Sequence, residues 1–409
     1  MQWYRELNKT ERRTFIAAFG GWAIDALDFM VFTFVIATLM TLWGIDKGQA
    51  GMLGTVTLLF SAIGGWLAGI LADRYGRVRV LQYTILWFSA CTVAIGFAQN
   101  FEQLFVLRAL QGLGFGGEWA VGSVLMGEIV RAEHRGKAVG TVQSGWAVGW
   151  GVAAILYTVA FSILPAEWAW RSLFWVGVLP AFLVLYIRKN VPEPEVFQRA
   201  QAKVQAGEAR ASFWTIFSPA LLKTTVITAV LCTGVQGGYY AITTWLPTYL
   251  KVERQLSVLN TGGYLMVIIF GSFCGYIAGA YLADRLGRRA NLLIFSVLST
   301  ASVYVYTQLP LTDGQMLFLG FPLGFAASGI FSGIGAYLTE LFPSGVRASG
   351  QGFAYNFGRG VGALFPSLVG FLSQTHGLGW AIGAFATGAY AVVIVTALLL
   401  PETKGRVLE

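Results

Sequence analysis

The stretch Gly69-Ile-Leu-Ala-Asp-Arg-Tyr-Gly-Arg-Val-Arg79 returns in the second half of the chain as Ala280-Tyr-Leu-Ala-Asp-Arg-Leu-Gly-Arg-Arg-Ala290. Asp73 and Asp284 are 211 residues apart in a chain of 409 residues. A duplicated, charge-dense turn in a very apolar chain indicates two structural halves that move against each other in a membrane. We call residues 69–79 and 280–290 the charged turns.

The composition indicates an integral membrane protein. Hydrophobic residues make up 56% of the chain and charged residues only 12%, with a mean hydropathy of +0.63. A soluble protein of this length would normally have a charged fraction of about a quarter. The apolar runs suit membrane helices of roughly 20 residues and do not alternate in polarity as the strands of an outer-membrane barrel do.

The apolar runs predict an all-α membrane protein with twelve transmembrane helices in two six-helix halves. The halves are residues 1–190 and 221–409, and the polar segment 191–220 is predicted to be a cytoplasmic linker. The spacing from Glu128 to Arg135 is repeated from Glu340 to Arg347, which supports a parallel repeat with a cavity between the halves. The predicted spans are 14–41, 50–72, 78–98, 104–130, 138–164, 170–189, 221–250, 258–283, 290–309, 314–341, 348–373 and 377–400.

The charged residues predict the orientation and argue against several kinds of partner. Basic residues collect in alternate loops, so the positive-inside rule places both termini and the linker in the cytoplasm of a bacterial inner-membrane protein. The net charge of +8 is explained by that inner face and requires no nucleic acid. Three cysteines without metal-ligand spacing and two histidines predict no metal site and no cofactor. We expect a monomer whose partners are the bilayer, protons and a small molecule.

The chain resembles the major facilitator superfamily of transporters over essentially its whole length. In that superfamily the loop after the second helix reads Gly-x-x-x-Asp-Arg-x-Gly-Arg-Arg/Lys. The residues of the first charged turn that fit are Gly69, Asp73, Arg74, Gly76, Arg77 and Arg79, and the second keeps Asp284, Arg285, Gly287, Arg288 and Arg289 but has Ala280 in place of the first glycine. The resemblance implies a latch that closes the inner side and breaks when the halves rock, although a charge cluster that only orients helices remains an alternative. The predicted gating residues are Gly69, Asp73, Arg74, Gly76, Arg77, Glu128, Arg135, Asp284, Arg285, Gly287, Arg288, Glu340 and Arg347.

Other motifs resemble particular branches of this superfamily. Arg108-Ala-Leu-Gln-Gly-Leu-Gly-Phe-Gly-Gly-Glu-Trp119 is similar to a pattern of organic-acid and sugar carriers. Pro192-Glu193-Pro194 and Pro401-Glu402-Thr403-Lys404-Gly405 resemble the tags of sugar-porter-like branches. Trp22-Ala-Ile-Asp-Ala-Leu-Asp-Phe29 resembles the first-helix signature of sialate, aromatic-acid and monocarboxylate proton symporters, which favours acids over sugars.

Charged residues inside the first half predict a proton-coupling site. Each one costs on the order of 3 kcal/mol to insert into a bilayer, so it is a functional hypothesis by default. Asp25 and Asp28 lie on one face of the first helix, where one carboxylate of the pair could hold a proton at neutral pH. Arg108 requires a carboxylate partner. The predicted coupling residues are Asp25, Asp28, Arg108 and Glu118, with Asp28 favoured as the proton site and structural pairing with Arg108 as the alternative.

The second half predicts an anion site. Arg359 lies among glycines in the eleventh span, which we expect to leave room for a ligand carboxylate to make a bidentate contact. Asn356 lies on the same face, and the seventh span adds Gln236, Tyr239 and Tyr240 as hydrogen-bonding groups near glycines and a proline. Structural pairing of Arg359 and simple packing of the tyrosines remain alternatives.

These residues predict a secondary active transporter that couples proton flow to symport of a small organic acid by alternating access. A monocarboxylate, an aromatic or nicotinate-like acid and a sugar acid all fit the sequence. A sugar or polyol carrier is the alternative, and a membrane sensor or enzyme is a remote one. The sequence contains no phosphate-binding Gly-Lys-Ser/Thr motif and no catalytic nucleophile motif, so we predict neither an ATP-driven pump nor an enzyme.

Overall fold

A computed structural model describes residues 2–129, 138, 140–193, 198, 213–343 and 346–404. These ranges fold into α-helices with short 3₁₀ and π turns, and no β-strand occurs within them. A short helix at Gln2–Glu6 precedes fourteen longer ones. They are α1 (Lys9–Trp43), α2 (Lys47–Tyr75), α3 (Arg77–Ile95), α4 (Phe101–Ile129), α5 (Gly145–Ile163), α6 (Ala166–Trp175), α7 (Pro180–Asn190), α8 (Leu222–Thr248), α9 (Val258–Leu286), α10 (Arg288–Gln308), α11 (Asp313–Leu341), α12 (Arg347–Gly362), α13 (Leu364–His376) and α14 (Leu378–Leu399).

Three of the long helices begin at capping boxes. Asn8 starts α1 with a capping box that it forms with Glu11. Asp46 and Gln49 form the same arrangement at the start of α2, and Thr312 and Gln315 form it at α11. These reciprocal hydrogen bonds satisfy backbone N–H groups that have no partner within the helix. The connections between successive helices can therefore be short.

Four of the predicted spans contain an interruption or a change of helix type. In the fifth span, a turn at Ser144 precedes α5. A 3₁₀ turn at Val176–Val178 separates α6 from α7 in the sixth span. The seventh span continues past Pro247 into a π turn at Tyr249–Glu253. In the eleventh span, α12 ends at Gly362 and α13 begins at Leu364, so that only Ala363 separates them. The sixth and eleventh spans therefore each consist of two helical segments rather than one.

The helices have the length and composition of membrane spans. Within the described ranges, nine helical segments are at least 18 residues long and apolar enough to cross a bilayer. The remaining predicted spans correspond to α4, to α6 with α7, and to α12 with α13. Large apolar side chains such as Ile163, Phe182 and Phe318 are mostly exposed, as expected for a surface that faces lipid.

The two halves repeat the same internal packing. A Cβ atom added to Gly64 of α2 would overlap the backbone carbonyl of Leu113 in α4. In the second half, a Cβ added to Gly275 of α9 would overlap the carbonyl of Phe325 in α11. These pairs correspond at an offset close to that of the charged turns, and small residues let membrane helices approach closely. The fold is therefore the predicted pair of similar helical halves. Most of the predicted linker lies outside the described residues, so its structure stays a prediction.

The halves meet closely at the end of the bundle that is opposite the charged turns. Gly51 of α2 packs against the backbone of α13, where an added Cβ would lie 2.6 Å from the Pro366 oxygen. The Ser367 hydroxyl donates to Thr55 Oγ1 at 2.8 Å, and the Gln374 amide donates to Asp46 at 3.1 Å. We call this the opposite end. Its contacts bring the first and second halves together there.

Candidate functional site

Arg359 lies at the contact between the halves and is only 1% exposed. Its guanidinium carbon is 5.5 Å from the ring centre of Phe115 in α4 and 5.2 Å from that of Tyr355 in α12. Tyr240 of α8 also interacts with the guanidinium. A buried cation is thus enclosed by aromatic rings from both halves.

The glycines beside Arg359 make room for neighbouring helices. A Cβ on Gly358 would lie 2.5 Å from Cys232 in α8, and one on Gly360 would lie 3.4 Å from the Ala62 side chain in α2. The sequence interpretation that these glycines leave room for a ligand was therefore wrong for this state of the protein. They allow α12 to approach both α8 and the first half, and this close approach buries Arg359.

The other predicted binding residues surround Arg359. The Gln236 amide donates to the Tyr355 carbonyl at 2.8 Å, and the Tyr240 hydroxyl donates to Gln236 at 3.4 Å. Asn356 donates to the Gly352 carbonyl at 3.0 Å, and its Oδ1 has no hydrogen-bond partner within the described ranges. That oxygen faces Gly65 in the first half. These side chains therefore line the contact between the halves with polar groups.

An aromatic cluster completes this region, and of its members only Tyr239 and Tyr240 were predicted from the sequence. Phe29 of α1 lies 5.7 Å from Phe115, 5.9 Å from Trp146 of α5 and 5.9 Å from Tyr240, measured between ring centres. Tyr239 lies next to Tyr240, at 6.1 Å. Phe29 follows Asp28 directly and Phe115 lies in the Arg108 motif, but apolar residues there are indistinguishable from lipid-facing ones in the sequence.

Asp25 and Asp28 have different surroundings, although both are buried. Asp25 lies on α1 between Trp22, which packs on Trp146 at 4.9 Å, and Phe29. It interacts electrostatically with Arg359 of the second half. Asp28 instead faces α3 and α4. Each carboxylate thus has its own partner groups.

Asp28 belongs to a buried hydrogen-bond network in the first half. Thr92 of α3 donates its hydroxyl proton to Oδ2 at 2.6 Å, and the Gln111 amide of α4 donates to the same oxygen at 2.7 Å. Arg108 donates to Gln111 Oε1 at 2.8 Å and lies over the Phe32 ring at 3.9 Å. Gln111 therefore connects Arg108 with Asp28, and neither Gln111 nor Thr92 was among the residues predicted from the sequence.

Gly76 and Gly287 each lie against the glutamate of a Pro-Glu tag. Glu193 accepts hydrogen bonds from the backbone N–H groups of Arg77 and Val78, both at 2.9 Å. Glu402 accepts from Arg288 at 2.9 Å and from Arg289 at 3.0 Å. Each carboxylate thereby caps the first turn of a helix, where the helix dipole favours an anion. The tags have a structural function in both halves.

The second charged turn also contains an ion pair. Arg288 donates from both Nε and Nη2 to Glu340 of α11, with the shortest distance 2.9 Å. Thr403 donates to Glu340 at 2.5 Å. This links the turn to two other segments of its own half, and Arg285 contributes its backbone carbonyl to the Lys404 side chain at 2.6 Å.

Hydrogen bonds alter the ionisation of Glu402. Burial by itself would raise the pKa of Glu402, but donation from the backbone of Arg288, Lys404, Thr403 and Arg289 outweighs this effect. The pKa therefore lies below its ordinary value of 4.5. The carboxylate is charged at neutral pH, as its capping function requires.

Several predicted residues cannot be compared with the structure. Arg135 lies outside the described residues, as do the surroundings of Gly69 and the side chains of Asp73, Arg74, Glu118, Glu128, Asp284 and Arg347. The roles assigned to them stay predictions. Within the described ranges, no group of three or more His, Cys, Asp or Glu side chains is arranged to hold a metal ion.

At the opposite end, a pair of charged side chains that was not predicted from the sequence joins the halves. Glu253 lies 3.9 Å from the Lys47 ammonium of α2. The same carboxylate accepts from the backbone N–H groups of Leu378 and Gly379 at the start of α14, the second at 2.9 Å. Glu253 therefore caps a helix of its own half and pairs with the other half.

Two similar bundles of apolar helices, with buried charges where they meet, define this chain as a polytopic membrane transport protein. Sequence comparison gives the particular family: the profile of the Major Facilitator Superfamily matches residues 17–312 and 269–408. The chain belongs to that superfamily.

Individual relatives cover nearly the whole chain. It is 45% identical to a probable 4-methylmuconolactone transporter of Cupriavidus pinatubonensis, over 100% of this chain and 94% of the relative. It is 32% identical to a cis,cis-muconate transport protein of Acinetobacter baylyi, over 97% and 95% of the two chains. The fold is similar to that of the proton:xylose symporter XylE bound to 6-bromo-6-deoxy-D-glucose, with a TM-score of 0.76, 18% identity and 98% coverage of both chains.

Proposed function

We propose that this protein is a proton-coupled symporter of a small organic acid anion. The observation that carries the proposal is the burial of the Arg359 guanidinium between the two halves. A buried cation is costly unless an anion compensates it, and a guanidinium presents paired donors that match a carboxylate. Its position between the halves makes it accessible when they separate.

The relatives support an acid as the substrate. The two similar transporters are named for 4-methylmuconolactone and cis,cis-muconate, and muconate is a carboxylate. In this chain, Gln236, Tyr240 and Asn356 would orient the substrate beside Arg359 by hydrogen bonds. The Phe29, Phe115 and Trp146 rings would contact its carbon skeleton.

Asp28 is the proposed proton-binding group. Both donors that contact it use Oδ2, so Oδ1 can take a proton without breaking either hydrogen bond. Protonation removes the negative charge that balances Arg108, since Gln111 connects the two residues. Arg108 would then adjust its contacts, and this change would help the halves to rock.

Asp25 would couple the substrate to the same cycle. A substrate carboxylate at Arg359 competes with Asp25 for the positive charge, because both are anions directed at one guanidinium. Protonation of Asp25 would remove that competition. Proton uptake and anion binding would therefore favour each other, as reciprocal coupling requires.

The sugar-carrier alternative is not favoured by the site. Its sequence support came from the two Pro-Glu tags, and their carboxylates accept hydrogen bonds from the backbone of the charged turns. The tags are thus explained by helix capping and do not by themselves favour a sugar. No observation favours the sensor or enzyme alternative, and membership of a transporter superfamily supports transport.

The proposed orientation places both termini and the charged turns in the cytoplasm of the bacterial inner membrane, with the protein acting as a monomer. The opposite end would then face outward, and its contacts would close the outward path. Single cysteines placed in the loops test this orientation. In intact cells, a membrane-impermeant thiol reagent should label cysteines in the outward-facing loops and leave those in the cytoplasmic loops unlabelled.

The function is tested in vesicles that contain the purified protein. Uptake of a labelled small carboxylate should rise when a proton gradient is directed inward and should collapse when an uncoupler is added. Accumulation that does not depend on the gradient would contradict symport. Transport of a neutral sugar with no competition by any carboxylate would contradict the acid substrate.

A further inference from the structure

The structure points to a second anion site at the opposite end, and we propose that Lys251 binds the substrate carboxylate there before it reaches the anion site at Arg359. This inference rests on the proposed function, since it concerns the route of the acid. Lys251 lies in the π turn that continues α8. Its ammonium contacts two groups of the first half, the Thr38 hydroxyl of α1 at 3.4 Å and the Phe161 ring of α5, whose centre is 5.6 Å away. Lys251 is thus placed where the halves must separate to admit a solute from that end.

Lys251 carries a charge that its surroundings do not balance. It is half-buried, and within the described ranges no acidic side chain pairs with it. The other cations nearby have partners, since Lys47 pairs with Glu253 at 3.9 Å and Arg254 donates to the Leu311 carbonyl at 2.8 Å. A half-buried ammonium has lost part of its hydration, and a hydroxyl and an aromatic ring do not neutralise its charge. An anion that enters between the halves supplies the missing negative charge.

Two buried hydroxyls lie on α8 between Lys251 and the anion site. Thr244 is fully buried and Thr248 is 1% exposed, and neither hydroxyl has a hydrogen-bond partner within the described ranges. Thr244 faces the first half, because a Cβ added to Gly54 of α2 would lie 3.5 Å from its methyl group. A buried hydroxyl without a partner is costly in the closed state. When the halves separate, both hydroxyls become able to donate to a carboxylate that moves along α8.

These groups form one polar face of α8. Tyr240, Thr244, Thr248 and Lys251 follow each other at intervals of four, four and three residues, the spacing of side chains on one side of a helix. Tyr240 is directed at the first half, where its ring centre lies 5.9 Å from that of Phe29 in α1. The rise of 1.5 Å per residue places Lys251 about 16 Å from Tyr240 along the helix. The polar face therefore runs from the anion site to the opposite end, which faces outward in the proposed orientation.

Thiol labelling in intact cells tests whether this face attracts anions from outside. In a variant whose three natural cysteines are replaced by alanine, Thr248→Cys places one thiol on the face. Two membrane-impermeant methanethiosulfonate reagents are compared, one with a sulfonate and one with a trimethylammonium group. The ratio of their rates, anionic to cationic, should be about three- to tenfold higher with Lys251 than in Lys251→Met, and salt should reduce the difference.

The labelling result decides the site whatever the acid is. An equal ratio with and without Lys251, or no reaction of the thiol from outside, would overturn the proposal. Thr244→Cys is a second reporter on the same face if Thr248→Cys does not fold. Lys223→Met is the matched control, because Lys223 is an exposed lysine near the start of the same helix and its loss changes the net charge equally. It should leave the ratio unchanged.

Uptake kinetics connect the site with the substrate. The probes are labelled lactate, nicotinate and glucuronate, one for each kind of acid that the sequence allows. Lys251→Met should lower kcat/KM for the transported acid about three- to tenfold and change kcat little, because the charge raises the local concentration of the acid. Lys251→Arg should keep both values, and so should Lys223→Met.

Two results separate this inference from its alternatives. A charge that only stabilises the end of α8 would change the melting temperature and leave kcat/KM and the labelling ratio as they are, which would overturn the proposal. Absence of uptake of all three acids by the wild type would instead contradict the proposed function, and the labelling ratio would still decide whether Lys251 attracts anions.

Discussion

The carboxylate of Glu193 occupies the space beside Gly76 where a larger residue would place its Cβ atom. An ideal Cβ on Gly76 would lie 2.5 Å from Glu193 Oε1, and the backbone there has φ +106°. Gly287 and Glu402 repeat the relationship with 2.6 Å and φ +109°. Glycine thus serves two purposes in each charged turn: it permits the backbone conformation and it admits the capping carboxylate.

Removal of either capping carboxylate should lower the stability of the folded protein. Glu193→Ala and Glu402→Ala each leave helix N–H groups without their acceptor, at a cost of about 1 kcal/mol for a lost cap. The two losses should add, because the caps lie in different halves and share no partner. Thermal unfolding of each variant and of the wild type measures the effect. Melting temperatures equal to that of the wild type would contradict the capping role.

The Glu402 cap should also depend on pH. Its pKa in the folded protein lies below the ordinary value of 4.5, so its stabilisation is complete above that pH and is lost as the pH falls further. The difference in melting temperature between the wild type and Glu402→Ala should stay constant from about pH 8 to 5.5 and shrink toward pH 4. A difference that grows in acid would have the wrong sign for a charged cap.

Arg359 should be required for acid binding but not for folding. Arg359→Lys keeps the charge but loses the planar pair of donors, and we expect at least a tenfold loss of affinity. Arg171→Lys is the matched control. Arg171 is also buried, but it donates to the Gly96 and Ala98 carbonyls at 3.0 and 2.7 Å. Arg171→Lys should lower the stability of the protein and leave its affinity for the acid unchanged. An unchanged affinity for the acid in Arg359→Lys would show that Arg359 does not bind the substrate.

Asp28→Asn should separate exchange from energy coupling. The asparagine Oδ1 can accept from Thr92 and Gln111 as Asp28 Oδ2 does, so the local structure persists while the proton site is lost. Counterflow exchange should continue, and uphill uptake driven by a proton gradient should fall at least tenfold. Loss of both activities would make Asp28 a structural or substrate-binding residue.

Asp25→Asn is the comparison within the same helix. It removes the negative charge that interacts with Arg359, so the acid should bind more tightly and its affinity should depend less on pH. Weaker binding in this variant would show that Asp25 does not compete with the substrate.

Lys47 and Glu253 should have separable roles at the opposite end. Lys47→Met removes only the pair between the halves, and an exposed pair contributes less than about 1 kcal/mol, so the closed population should fall by less than fivefold. Glu253→Gln also weakens the cap of α14 and should lower the melting temperature as well. Accessibility of a cysteine introduced at Thr55 reports opening. Equal effects of both variants on stability would contradict the separate capping role.

The amino-acid sequence determined the membrane class, the duplicated halves and the family, because hydropathy and the charged turns are properties of residue type and spacing alone. It also marked Asp28, Arg108 and Arg359, since a charge within an apolar run is visible without a fold. The partners of these charges were not visible. Asp28 of α1 accepts from Gln111 of α4, and Arg359 of α12 lies beside Phe115 of α4. Glu193 contacts Arg77 across more than a hundred residues.

Tertiary structure alone decided which groups act together. Asp25 and Asp28 are three residues apart in sequence, yet helix packing directs one toward the second half and the other into the first. Lys251 contacts Thr38 and Phe161 only because the end of α8 packs against α1 and α5. Periodicity fixes the face of a helix on which a residue lies, but the neighbour of that face depends on how the helices pack, and this arrangement assigns each charge its partner.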